Sequence, residues 1–210
     1  TYSNAFSITG SADSNTIDGC VIKAGQTTYT GAGNYSTGIY MYGNNHGNTF
    51  TNNRIEGGSC SIYAYGGGLT SRAENTTIDN NIIKNSYFYT IYAYYLDGLA
   101  FNNNTVTNDS AMYLYGYGPL FVYADNFNIT NNFVGTDMNN GYYYGMYLTN
   151  SIGTNNPRSR VANNCINSGS ETGASYGYYG FYSSGSGIFD FHHNSINRRG
   201  QSGSYYASYI

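Results

Sequence analysis

Charged side chains are scarce in this sequence. Its 210 residues carry eight Lys or Arg and eleven Asp or Glu, for a net charge of −3. That excludes a basic surface able to hold nucleic acid or an anionic membrane, and it also excludes disorder maintained by charge repulsion. No run of 18 apolar residues occurs, so no membrane-spanning helix is expected. Tryptophan is absent, proline occurs twice and cysteine three times, at Cys20, Cys60 and Cys165. An odd and widely spaced set gives no disulfide framework; Cys20 with Cys60 is the one pairing that loops could bring together, and small buried hydrophobes are the plainer expectation. Alternating Glu, Lys and Leu stretches are missing too, which leaves no helix to assign. The chain lacks an initiator Met and a signal peptide, as expected of a processed or excised chain.

In their place stand 28 glycines, 30 asparagines and 27 tyrosines. Gly and Asn suit tight turns, and aromatic and β-branched residues suit strands. These residues are arranged in a repeat. Ile17, Phe50, Ile78, Phe101, Ile129, Val161 and Phe191 are each followed five places later by Ile22, Ile55, Ile83, Val106, Val134, Ile166 and Ile196. Between the two apolar columns lie Asn52-Asn53, Asn80-Asn81, Asn103-Asn104, Asn131-Asn132 and Asn163-Asn164, with Gly19-Cys20 in the first copy and His193-Asn194 in the last. Copies are spaced 33, 28, 23, 28, 32 and 30 residues apart. A sustained period of this length is the signature of a solenoid.

Each copy adds a segment of strict alternation, as in Ile39-Tyr40-Met41-Tyr42, Ile62-Tyr63-Ala64-Tyr65 and Ile91-Tyr92-Ala93-Tyr94. Successive side chains on a strand face opposite ways, so the aliphatic set points inward and the tyrosines outward. The fourth copy is read as Met112-Tyr113-Leu114-Tyr115, and Leu120 to Val122 is read with Leu96 to Leu99 and Ile188 as a third apolar segment. These features predict an all-β, single-domain chain over residues 1–210: a right-handed, single-stranded parallel β-helix of about seven coils of about 29 residues. An internal ladder of Asn53, Asn81, Asn104, Asn132, Asn164 and Asn194 is expected, since Asn tolerates the left-handed conformation of a tight bend and stacked amides can bond one another. The apolar, Asn-Asn, apolar turns resemble those of the right-handed parallel β-helix superfamily, the pectate-lyase-like fold with short repeats, over about residues 17 to 209. That resemblance implies the fold. It leaves function open among polysaccharide lyases and hydrolases, tailspikes, adhesins and filament proteins.

No catalytic constellation, metal site or cofactor motif is expected. Asp18 and Asp79 fall two coils apart on the outward row, too distant to share an ion unaided. Asp97 and Asp125 form the best remaining acid pair, although solvated turn aspartates are the simpler reading. His192 and His193, as strand neighbours, are expected on opposite faces. The strongest functional feature is an outward column of Tyr40, Tyr63, Tyr92, Tyr113, Tyr147 and Tyr182, continued by Tyr206 if the last register holds, beside a second column of Tyr42, Tyr65, Tyr94 and Tyr115. So large an aromatic face points to a covering partner. Copies of the chain itself are the leading candidate, joined through this face or end to end, in an extracellular structural or adhesive assembly. A carbohydrate-binding or polysaccharide-degrading β-helix is the alternative. Asn34, Asn75, Asn103, Asn108 and Asn128 are glycosylation sequons.

Overall fold

The computed structural model describes residues 4–25, 28, 30, 36–108, 115–136, 142–153, 158–168, 179–198 and 206–210. Among them every strand pairs in parallel and no helix occurs. The chain winds through three long sheets in a fixed order, and Ala73–Glu74 with Leu96–Asp97 adds a short two-stranded fourth. The first sheet stacks Phe6–Thr9, Thr37–Tyr42, Cys60–Tyr65, Tyr89–Tyr94, Tyr115–Val122, Tyr142–Thr149, Tyr179–Ser184 and Tyr206–Tyr209. The second runs from Thr16–Asp18 to Asp190–His192 and the third from Val21–Ala24 to Ser195–Arg198, with seven strands each. The expected β-helix is therefore observed, and each coil is its own crossover.

Both apolar columns of the repeat line the interior. Ile17, Phe50, Ile78, Phe101, Ile129 and Val161 are buried in register on one wall, and Ile22, Ile55, Ile83, Val106, Val134 and Ile166 on the next. Ile39, Ile62, Ile91, Met146 and Phe181 close the third wall, at the position that Pro119 takes in the fifth strand. Each such side chain contributes about 1.5–3 kcal/mol by leaving water, so the interior files hold the coils together.

Between the second and third sheets the backbone turns through one left-handed residue. Gly19, Asn52, Asn80, Asn103, Asn131, Asn163 and His193 all have φ between 54° and 65°. Asn reaches this region at lower cost than most residues, which explains the first Asn of each pair. The second Asn points inward and builds the ladder. Asn81 Oδ1 accepts both the backbone N–H and the Nδ2 of Asn53, at 2.9 and 3.1 Å. The same double bond links Asn81 to Asn104, Asn104 to Asn132, Asn132 to Asn164 and Asn164 to Asn194. Each Nδ2 also donates to a first-column carbonyl one rung back, from Ile17 O to Val161 O.

The first sheet departs from the expected register in two places. Tyr92 pairs with Leu120 and Leu120 with Tyr147, so the fifth strand contributes Pro119 to Val122 to this wall. The expected Met112-Tyr113-Leu114-Tyr115 segment does not form the rung. Tyr113 lies outside the described residues, and Tyr115 sits at the start of the strand, paired with Tyr142. Leu120 to Val122 consequently belongs to the first sheet rather than to a third apolar segment. In the last rung Tyr182 pairs with Tyr209, and Tyr206 pairs with Tyr179.

Candidate functional site: the tyrosine face and its acidic corner

Alternation in the first sheet turns one file of side chains outward: Tyr40, Tyr63, Tyr92, Leu120, Tyr147, Tyr182 and Tyr209. Tyr42, Tyr65 and Tyr94 form the neighbouring file, which Val122, Thr149 and Ser184 continue without rings. A third file was missed in the sequence: Tyr89, Tyr117, Tyr144 and Tyr179 stand in register three residues ahead of the first. Its Tyr142-Tyr143-Tyr144 and Tyr176 to Tyr179 stretches look like loop sequence, although Tyr144 and Tyr179 lie in strands.

Parallel register places rings one strand spacing apart, and they stack. Tyr40, Tyr63 and Tyr92 lie 5.2 and 5.3 Å apart with planes within 7° of parallel. Tyr117, Tyr144 and Tyr179 repeat this at 5.0 and 5.2 Å. Each inner ring thus has its faces covered by its neighbours, and Tyr63 is only 7% exposed although it points out of the coil. Burial is the main cause of raised phenol pKa values at Tyr63 and Tyr89, and nearby tyrosines add to it. Tyr92 and Tyr144 are pushed up to about 12 for the same reasons.

Along one edge of this face runs a corner that carries acids. Asp97 bridges Asp125 on the next rung and pairs with Glu74 on the previous one, so the acid pair singled out in the sequence is brought together. Both carboxylates are engaged by neighbouring side chains and backbone. Asp125 Oδ1 accepts the Ile152 N–H at 2.7 Å, and Asp125 Oδ2 meets the Arg72 guanidinium at 3.0 Å. Asp97 Oδ1 accepts from Asn126 Nδ2. Asp13 and His46 do the same on earlier rungs, each accepting a backbone N–H from the rung that follows. Burial raises the Asp125 pKa and Asp97 adds to it, while the Ile152 N–H and Arg72 oppose the shift. Carboxylates held in this way cap the rungs of the corner.

Asp18 and Asp79 are separated by Thr51 as expected. His192 and His193 are not on opposite faces: their Nδ1 atoms lie 3.3 Å apart, because His193 occupies the left-handed turn position rather than a strand. No group of three or more His, Cys, Asp or Glu suited to a metal occurs among the described residues. Beside His192 a groove of about 500 Å³ is lined by Arg158, Arg160, Asp190 and Asn128. Arg158 pairs with Asp190 at 3.0 Å, and Arg160 Nε donates to Asn128 Oδ1. The three cysteines are free, and only Cys60 is buried. Of the sequons, Asn108 is buried and its side chain accepts from Ser86 N–H, so it offers no site for a glycan; Asn34 lies outside the described residues.

A family model described as a right handed beta helix region matches residues 2–156 and, in an overlapping second alignment, residues 37–209. The chain belongs to the right-handed β-helix family. Comparison with curated proteins and with solved structures gave no match. Membership of the β-helix family accounts for the coil, the inward columns and the turns. It does not choose among the roles that this fold supports. No helix among the described residues is long and apolar enough to cross a membrane.

Proposed function

We propose that this β-helix is an extracellular structural or adhesive protein whose tyrosine face packs against a second copy of the chain. The observation that carries this reading is the ring-on-ring stacking of the outward tyrosines. Stacking occupies the ring faces, so the surface offers rigid edges and phenol hydroxyls instead of open platforms on which a sugar could lie. Such a surface gives large contact area with little side-chain entropy left to lose, which suits protein association. The acids of the neighbouring corner support the same reading, since they are engaged in holding the coil.

Sedimentation over a range of concentrations tests it. The wild-type chain is expected to associate, to remain associated in high salt because few charges take part, and to lose association in Y42S/Y65S. A wild-type chain that sediments as a monomer throughout refutes the proposal. A second reading, binding of a polysaccharide, is favoured by the polar groove that Arg158, Arg160, Asp190 and His192 line. Retention on an insoluble polysaccharide that R160S abolishes would select it.

A further inference from the structure

The tyrosine files are joined into one path. Tyr40, Tyr63 and Tyr92 follow one another at 5.2 and 5.3 Å, and Leu120 then interrupts the file. The contacts bypass this gap through the third file. Tyr92 meets Tyr89 at 5.0 Å, Tyr89 meets Tyr117 at 5.1 Å, and Tyr117 meets Tyr144 at 5.0 Å. From Tyr144 the path returns to Tyr147 at 4.9 Å, then reaches Tyr182 at 4.7 Å and Tyr209 at 5.0 Å. No step exceeds 5.3 Å. Tyr40 and Tyr209 are six rungs apart, or about 29 Å at about 4.8 Å per rung.

We infer that this ring path relays oxidising equivalents along the coil axis, passing an electron hole between neighbouring tyrosines when a one-electron oxidant of the metal-oxo or photo-excited class acts on one of them. The first step takes one electron from a phenol to the oxidant and releases the phenolic proton to water. In each later step the next phenol gives an electron to the phenoxyl radical before it, which regains a proton, while its own proton is lost. The net change is one oxidant reduced, one proton released and one phenoxyl radical left elsewhere on the path. Transfer between like groups in contact is nearly isoenergetic, whereas a single transfer over the whole path would have to cross several intervening rings. Burial raises the pKa of the inner phenols and opposes proton loss there, so the radical rests on more open rings.

The test places the oxidant at one end. A ruthenium polypyridyl photo-oxidant is attached through N44C, beside Tyr42, in a C20S/C165S background, and rings that become radicals are trapped with a nitroxide and mapped by peptide mass spectrometry. Adducts are expected at Tyr144, Tyr179, Tyr182 or Tyr209, beyond the fifth strand. Y115F/Y117F removes the phenols of that strand and keeps its rings; late adducts should vanish while those at the more open early rings Tyr40 and Tyr42 remain. Adding L120Y to that variant refills the interrupted file and should restore them, which a change in packing alone would not do. Adducts confined to the early rungs in the parent overturn the inference, as do late adducts that persist in Y115F/Y117F or that L120Y fails to restore.

Discussion

Replacing Asn104 by Leu isolates what the inner ladder contributes to stability. Asn104 is 1% exposed and sits between Asn81 and Asn132. Leu shares the branched shape of Asn but has bulkier methyl groups, so the change removes polar contacts and opens no cavity. Four side-chain bonds are lost, but the groups behind them do not all become orphans. Asn81 Nδ2 keeps Phe50 O and Asp79 O, and Asn132 Oδ1 keeps the Asn104 N–H. Asn81 N–H loses its Oδ1 acceptor, whereas the Ile78 carbonyl loses its amide donor but keeps the Asn102 N–H of the neighbouring strand. At about 1–3 kcal/mol for a buried group left unpaired, the single orphaned N–H sets a cost of about 1–3 kcal/mol. For a chain of this size that corresponds to a midpoint lowered by about 4–8 °C near the centre of the range. Thermal melting followed by far-ultraviolet circular dichroism measures it. Asn194 supplies the control, because it is half-buried at the last rung and water can replace part of what is lost, so N194L should cost less. An N104L midpoint equal to wild type, or an N194L loss as large, refutes the account of the ladder.

Alkaline titration should separate two classes of tyrosine. Folded-state pKa values raised above the unfolded value mean that the stability from stacking is complete below about pH 10 and is lost as pH climbs toward about 12, where Tyr92 and Tyr144 ionise. Absorbance near the phenolate band should rise in two phases with unfolding in the second; a single phase near the ordinary tyrosine pKa contradicts this. At the acidic corner, R72A removes the cation from a pair whose side chains are 15% and 17% exposed. The expected loss in urea denaturation is at or below the low end of the about 3–5 kcal/mol that breaking a buried pair costs. An unchanged urea midpoint would show that Asp125 does not need Arg72.

The parts of this fold that were legible in the sequence are those fixed by a turn. Two apolar residues five apart, around a left-handed residue and an inward amide, admit little variation, and so Asn53 through Asn194 were placed correctly from spacing alone. The first sheet was less legible because the loops leading into it differ in length. Met112-Tyr113-Leu114-Tyr115 mimics the alternation of a rung, yet Leu120 is the residue that pairs with Tyr92 and Tyr147. Tyr92 precedes Phe101 by nine residues, Tyr182 precedes Phe191 by nine, and Leu120 precedes Ile129 by nine. Elsewhere the interval is 10, 15 and 14 residues, from Tyr40 to Phe50, Tyr63 to Ile78 and Tyr147 to Val161, so counting back from the turn does not fix the rung, and Leu120, Tyr117 and the third tyrosine file were not legible from spacing. The histidine pair was misjudged for a related reason: strand alternation was applied to His193, which occupies the turn. The Asp97 and Asp125 pair was located in the sequence, but its engagement by Ile152 N–H, Arg72 and Asn126 depends on neighbouring rungs and could not be read from spacing.

The inner amides also all face one way. Every Oδ1 from Asn53 to Asn194 accepts from the rung before it, so six carboxamide C=O groups point back toward the first coil. Aligned dipoles add along a common axis, as peptide dipoles do in an α-helix. The barrel of coils therefore resembles a weak electrical rod, negative toward its early turns and positive toward its late ones, with a polarity that owes nothing to ionised side chains and that neither pH nor a surface charge mutation would reverse.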